Sequence, residues 1–285
     1  MLSSDEIGRA VREALAEDIG SGDVTTLATV PEHATVTALM VAREELVLAG
    51  LELAETAFRQ LCPGANLRRD ASDGDRVPAG GAILKIAETP ARPVLSAERV
   101  ALNFVQRLSG VATLTAQYVA AVSTTGARIL DTRKTTPGWR RLEKYAVECG
   151  GGTNHRLGLF DRILIKDNHL AALRREPPNA IEAAVRRARA AYPRLAVEVE
   201  ADTLEQVGAA LRAGADIILF DNMGLERLRA AVRLVNGRAK TEASGGVNLS
   251  TVRAIAETGV DYISVGALTH SARAVDIALD FAGDH

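Results

Sequence analysis

The sequence predicts an α/β protein in two parts: a mixed α/β segment over about the first 95 residues, then a β/α barrel. Three observations predict it. From Ala127 onward, short apolar strands alternate with amphipathic helices. The strand ends Glu200, Asp221, Ser244 and Gly266 follow one another at 21, 23 and 22 residues, the length of a strand, a helix and two loops. Charged and glycine-rich groups gather at those strand ends, where a barrel opens its mouth.

The first part begins with a helix in which Ile7, Val11 and Leu15 are spaced among Asp5, Glu6, Glu13 and Glu17. Val36, Ala38 and Met40 alternate in a strand over Ala34 to Arg43. A short strand near Leu46 to Ala49 and a helix over Leu51 to Leu61 follow. The run Asp73-Gly-Asp-Arg-Val-Pro-Ala-Gly-Gly-Ala-Ile-Leu-Lys-Ile has the turn-and-strand pattern of biotinyl or lipoyl carriers. A carrier needs its lysine exposed at a hairpin tip, whereas Lys85 falls inside the strand, so the run reads as a small β structure. Ser96 is expected to cap a long bridging helix through Arg99, Leu102, Phe104 and Val105, broken at Ser109-Gly110 and resuming to about Val122.

In the second part the predicted strands are Ala127 to Asp131, Arg162 to Lys166, Leu195 to Glu200, Asp216 to Asp221, Ala239 to Ser244 and Tyr262 to Gly266. The predicted helices are Ile181 to Ala191, Leu204 to Ala213, Leu225 to Val235 and Leu249 to Thr258. A doubly wound open sheet produces the same string; the lack of GxGxxG after a first strand favours the barrel.

Composition limits the function. With 285 residues, 47% apolar and 25% charged, the chain has an ordinary globular profile. A net charge of −2, with basic residues dispersed among acidic ones, draws the chain neither to nucleic acid nor to an anionic membrane, so any anion site must be local. Only 5 of the 34 basic residues are lysines, which makes a lysine at a strand end more informative than an arginine. Cys62 and Cys149, 87 positions apart and without CxxC spacing, suit a reducing cytosol rather than a zinc site. No apolar run approaches the roughly 18 residues of a membrane span, and the first helix is amphipathic rather than a cationic leader, so a cytoplasmic protein is expected.

The strand ends divide by chemistry. The first two, Asp131-Thr132-Arg133-Lys134 and Lys166-Asp-Asn-His, with Arg156 between them, are cationic and suit substrate carboxylates. The third and fourth bring Glu200 and Asp221. These either hold Mg²⁺ against a diphosphate, stabilise positive charge developing on a substrate, or form a structural ion-pair network. The last two, Ser244-Gly245-Gly246 and Val265-Gly266-Ala267, offer backbone N–H groups unshielded by bulky side chains, a phosphate cradle at the usual barrel position.

These residues carry a resemblance. The runs Asp131-Thr-Arg-Lys-Thr-Thr-Pro-Gly, Glu143-Lys-Tyr-Ala-Val, Gly150-Gly-Gly-Thr-Asn-His-Arg and Leu164-Ile-Lys-Asp-Asn-His are similar to those of the quinolinate phosphoribosyltransferases. So are Glu17-Asp-Ile-Gly-Ser-Gly-Asp-Val-Thr-Thr, Glu98-Arg99 and Leu108-Ser-Gly, so that nearly the whole chain is covered. Trp139, where an aliphatic residue or Phe is expected, is a small departure.

The resemblance implies an N-terminal α/β sandwich over residues 1–108 and an incomplete β/α barrel of the type II phosphoribosyltransferase kind over 109–285, with a C-terminal helix packing back on the first domain. It implies transfer of a phosphoribosyl group from phosphoribosyl pyrophosphate to the ring nitrogen of quinolinate, with loss of CO₂ and pyrophosphate, on the route to NAD. By the same resemblance Arg133, His155, Arg156 and Lys166 line the dicarboxylate pocket, Thr132 binds substrate, and Lys134 lies between the substrates. Glu200 and Asp221 meet the ribose and Mg²⁺-pyrophosphate, and the loops Ser244, Gly245, Gly246 and Val265, Gly266, Ala267 take the 5′-phosphate. Lys134, Glu200 and Asp221 are the implied catalytic residues, Mg²⁺ the only cofactor, and a homodimer, with Arg99 donated across its interface, the implied assembly. Rival readings are a phosphoribosyltransferase for another pyridine or heterocyclic carboxylate, an aldolase or isomerase using Lys166 as a Schiff base, and a non-catalytic binding module.

Overall fold

The structure is a computed structural model, and it describes residues 2–177 and 179–281. In chain order the first elements are α1 (Ser4–Ile19), α2 (Val24–Thr29), β1 (Thr35–Ala42), β2 (Leu46–Val47), α3 (Leu51–Leu61), β3 (Asn66–Arg69), β4 (Arg76–Val77), β5 (Ala82–Pro90) and α4 (Ala91–Val122). Then come β6 (Arg128–Leu130), α5 (Arg140–Cys149), β7 (Ile163–Ile165), α6 (Asp167–Ala172), α7 (Ala180–Ala191), β8 (Val197–Ala201) and α8 (Leu204–Ala213). The last are β9 (Ile217–Asp221), α9 (Leu225–Val235), β10 (Lys240–Ser244), α10 (Val252–Ala256), β11 (Tyr262–Ser264), α11 (Ala267–His270) and β12 (Ile277–Phe281). They form two compact units. One holds the chain up to Ala116, Arg141–Gly151 and the residues from Ser271; the other holds Gln117–Arg140 and Gly152–His270.

In the first unit an antiparallel sheet has the order β12-β1-β5-β3, beside a two-stranded β2-β4 ribbon. A capping box starts α1: Glu6 N–H donates to Ser3 Oγ and Ser3 N–H donates back to the Glu6 carboxylate at 2.9 Å. Ile7, Val11 and Leu15 form its buried face, and α1 packs on α3. The expected C-terminal helix is instead the strand β12, which pairs with β1 through Met40↔Leu279 and Ala42↔Ile277. Val275, Ile277 and Leu279 are buried, and that alternation is the two-residue period of a strand.

The bridging helix also differs from expectation. It begins at Ala91 and runs unbroken to Val122. Pro93 falls in its first turn, where the N–H it lacks has no helical partner. Ser96 is not the cap; its hydroxyl donates to Asp23 Oδ2 at 2.9 Å. Ser109-Gly110 marks a lateral contact rather than a break: Ser109 Oγ accepts Ala49 N–H at 2.9 Å, and a β carbon on Gly110 would meet Arg273 O at 1.9 Å.

The second unit is built on six parallel strands in the order β6-β11-β10-β9-β8-β7. From β7 to β11 spatial order follows chain order, and β6 pairs with β11 through Ile129↔Ile263. This is a barrel's cyclic order with one opening, between β6 and β7. At that opening Thr153 donates to Ile129 O at 2.9 Å and accepts Asp131 N–H at 3.3 Å, so an irregular segment takes the place of a ladder. Along β8, Val197, Val199 and Ala201 lie on one face and Glu198 and Glu200 on the other. Helices α7, α8 and α9 lie side by side, α7 against β7 and β8. No helix among the described residues is long and apolar enough to cross a membrane.

Candidate functional site

A cavity of about 640 Å³ opens at the C-terminal strand ends of the second unit. Beyond β6, Thr132, Arg133 and Lys134 form one wall. Thr132 Oγ1 accepts Lys134 N–H at 3.1 Å, and Lys134 O accepts from Thr269 Oγ1 at 2.7 Å, so the backbone of this loop is fixed while the lysine side chain stays exposed.

The opening between β6 and β7 supplies His155 and Arg156, each buried. Buried Asp131 accepts His155 N–H at 2.7 Å. His155 Nδ1 accepts Arg156 N–H at 2.7 Å, and Arg156 Nη1 donates to Arg162 O at 3.3 Å. Burial, and then the positive charge of Arg133, hold the Arg156 guanidinium below its ordinary pKa. Arg133 Nε and Arg156 Nε are buried without a hydrogen-bond partner among the described residues. Two such donors facing a cavity are suited to an anion that completes them.

Lys166, just beyond β7, reaches Glu200 of β8, with Nζ 2.5 Å from Oε2. Lys166 remains half-exposed and Glu200 is nearly covered. Beyond β9, Asn222 takes a left-handed φ of 52°, donates its N–H to Ser244 O at 2.9 Å and its Nδ2 to Asp221 Oδ2 at 2.8 Å. Beyond the adjacent β10, Gly245 and Gly246 have φ of 99° and 61°, conformations that need glycine. No acceptor among the described residues takes the N–H groups of Gly245, Gly246 or Gly266.

Glu242 also lines the cavity and Glu198 lies buried beside it, and the sequence assigned neither a role. Glu198 of β8 and Glu242 of β10 are both fully buried, and His155 Nε2 stands 3.3 Å from Glu198 Oε2 and 3.6 Å from Glu242 Oε1. Arg162 Nη1 reaches Glu198 Oε2 at 3.3 Å, and Ser264 Oγ donates to Glu242 Oε1 at 2.5 Å. Burial pushes both carboxyls up. At Glu198 the hydrogen bond from His155 and the charge of Arg162 reverse this, leaving it below the usual range. At Glu242 burial and the charge of Glu198 act together and hold it well above. The two carboxyls are thus pushed in opposite directions. A glutamate in a strand reads as solvated or ion-paired, so only the alternation along β8 and β10 signals that these two face inward.

Of the residues singled out in the sequence, Thr132, Arg133, Lys134, His155, Arg156, Lys166, Glu200, Asp221, Ser244, Gly245, Gly246, Gly266 and Ala267 all line the cavity. Val265 does not; it is buried, and its N–H donates to Leu130 O at 2.9 Å. Arg99 stands exposed on α4 in the first unit. Asn222 and His270, which the sequence also puts at strand ends without assigning them a role, line the cavity as well.

Residues 23–109 match the family described as quinolinate phosphoribosyl transferase, N-terminal domain, and residues 111–280 its C-terminal domain. The chain is 46% identical to the nicotinate-nucleotide pyrophosphorylase (carboxylating) of Mycobacterium leprae, over 98% of this chain and all of that one. It is 42% identical to a probable enzyme of the same name from Bacillus subtilis, over 96% of this chain and 93% of that one. The solved nicotinate-nucleotide pyrophosphorylase of Francisella tularensis has the same architecture, with a TM-score of 0.93 at 41% identity, covering 99% and 98% of the two chains.

Proposed function

The chain belongs to the quinolinate phosphoribosyl transferase family, and from that premise we propose that its cavity joins quinolinate to phosphoribosyl pyrophosphate. The products are nicotinate mononucleotide, CO₂ and pyrophosphate, which places the enzyme in de novo NAD biosynthesis. The observation that carries this reading is the division of one cavity: Arg133, Arg156 and Lys166 on the early strands, Glu200 and Asp221 between, and unpaired glycine N–H groups on the late strands. The cationic part fits a pyridine dicarboxylate and the glycine part a phosphate monoester.

In the reaction the C1′–O bond to pyrophosphate breaks with the electron pair leaving on oxygen, and the ring-nitrogen lone pair forms the new bond to C1′. Positive charge grows on the ribose as the old bond lengthens, and Glu200 and Asp221 stabilise it. Lys134 neutralises departing pyrophosphate oxygens. The ribosylated ring nitrogen is cationic, so the adjacent carbon loses CO₂ with the electron pair held beside that charge and then takes a proton. Lys166 is ion-paired to Glu200, which suits carboxylate binding rather than Schiff-base chemistry.

Glu200 and Asp221 provide the hard oxygen donors that Mg²⁺ prefers, each with one oxygen already engaged by Lys166 or Asn222. The remaining oxygens would hold the ion together with the substrate's diphosphate, where it supplies charge neutralisation for the leaving group. The working enzyme is a cytoplasmic homodimer in which Arg99 serves the partner's cavity. Arg99 is exposed on the first unit and the cavity is lined by residues of the second unit, which supports that assignment.

The test is an assay with quinolinate, phosphoribosyl pyrophosphate and Mg²⁺, following nicotinate mononucleotide and ¹⁴CO₂. Turnover of nicotinate but not quinolinate would sink the reading.

A further inference from the structure

The opening between β6 and β7 poses a structural problem. His155 and Arg156 sit where the barrel has no strand ladder to hold them, yet both must point into the cavity with fixed geometry. What holds them is a closed hydrogen-bonded circuit. Arg156 N–H is accepted by His155 Nδ1, and Arg156 Nη1 by Arg162 O. Arg162 Nη1 reaches Glu198 Oε2, and His155 Nε2 returns to Glu198 at 3.3 Å, which closes the circuit, with Glu242 Oε1 beside it at 3.6 Å. Ser264 ties Glu242 to β11.

We propose that Glu198 and Glu242 are positioning residues for the pyridine dicarboxylate: together they clamp His155 from below and so fix Arg156 in the opening. This builds on the assignment of quinolinate as substrate. Because Nδ1 accepts a backbone N–H, the ring proton of His155 lies on Nε2, which therefore donates to a carboxylate and is not presented to a metal ion. That decides between a hydrogen-bonded cluster and a cation site, although the three residues bring ligand-type atoms within 4.8 Å of one another.

The two glutamates differ in what they supply. Glu198 Oε2 receives both Arg162 Nη1 and His155 Nε2, whereas Glu242 Oε1 accepts the Ser264 hydroxyl. The same substitution is therefore tolerated differently, because a side-chain amide keeps an oxygen for one hydroxyl donor but is a weaker acceptor for a guanidinium and an imidazole together.

The experiment measures separate KM values for quinolinate and phosphoribosyl pyrophosphate in Glu198→Gln, Glu242→Gln and Glu242→Ala, beside the wild type. Glu198→Gln and Glu242→Ala are expected to raise the quinolinate KM about tenfold or more and the phosphoribosyl pyrophosphate KM less than about twofold. Glu242→Gln is expected to stay within about threefold of the wild type in both. Unchanged quinolinate KM in Glu198→Gln, a parallel rise in both constants, or a damaged Glu242→Gln beside an intact Glu198→Gln would overturn the proposal.

If Glu198→Gln does not fold, Ser264→Ala, which releases only the Glu242 tether, is expected to give the same split more weakly; its absence counts against the proposal. Nitrogen-15 NMR of the His155 ring reads the circuit without substrate: protonated Nε2 in the wild type, shifted in Glu198→Gln. An unmoved ring, or Zn²⁺ held tightly by the wild type and lost in Glu198→Gln, would also overturn it. A wild type inert toward quinolinate but with the predicted ring shift would strike down the substrate assignment and leave the clamp standing.

Discussion

Gly245 and Asn222 stand so close that a β carbon on the glycine would lie 2.1 Å from Asn222 Oδ1 and 3.0 Å from its backbone nitrogen. One loop of the late-strand cradle is thus keyed into the loop after β9, and Asn222 is itself held by its N–H on Ser244 O.

Gly245→Ala must displace Asn222 and adopt a φ of 99°. A displacement of about 1 Å at a reacting site costs on the order of a hundredfold, so kcat/KM for phosphoribosyl pyrophosphate should fall by about that factor. Gly246→Ala meets no neighbouring atom within 4 Å and suffers only from its φ of 61°, about 1 kcal/mol. Steady-state kinetics of the two variants check the contrast; equal effects would refute it.

Arg133→Ala and Arg156→Ala each remove a guanidinium with a buried, unpaired Nε facing the dicarboxylate region. The expected loss is about 1.5 to 3 kcal/mol per arginine, which is about a 10- to 150-fold rise in the quinolinate KM. Glu200→Ala should act mainly on kcat, lowering it by about 10²- to 10³-fold, because its interaction strengthens as charge develops on the ribose. Kinetics in which all three variants change KM and kcat alike would contradict the assigned roles.

Most of the cavity was legible because its residues sit at strand ends that a 21- to 23-residue period locates. Residues set by tertiary pairing were less so. Glu198 and Glu242 lie inside strands and become site residues only when the barrel turns that face inward. Val265 looked like a loop donor until β6 claimed its N–H. The C-terminal strand was missed because its edge partner, β1, is remote in sequence, and Ser109-Gly110 was taken as a helix break when its composition answers to neighbours at Ala49 and Arg273.

Cys149 gives a chemical check on the first unit. Burial, followed by the charge of Asp73, pushes its thiol up to about 12. At pH 8 the native protein should leave Cys149 unmodified by iodoacetamide while the unfolded chain reacts, as read by mass spectrometry of its peptide. Equal labelling in both states would show that the thiol is not held in that environment.

Acid stability follows from two carboxylates in the same unit. Glu6 is lowered from 4.5 to about 2, chiefly by its hydrogen bond with Arg141 and then by Ser3 N–H. Glu44 is lowered likewise, chiefly by Arg273 and then by Asp276 N–H. Both stay ionised in the folded state after the unfolded chain has taken up a proton, so their stabilisation is present above pH 4.5 and disappears as pH falls toward 2. The double variant Glu6→Gln, Glu44→Gln should have a lower Tm at pH 7 and a flatter Tm profile between pH 5 and 2. A profile as steep as the wild type's would remove these two groups from the explanation.

The pairing of β12 with β1 orders events during synthesis. Arg43, at the end of β1, meets Asp280 across 237 positions of chain, so the ribosome releases β1 long before its edge partner exists. Until residues 277–281 emerge, β1 carries an open row of N–H and C=O groups, the kind of edge that recruits foreign strands. The nascent chain is therefore most exposed to misassembly at its oldest sheet and latest moment, and a stop codon a few residues early would make that transient condition permanent.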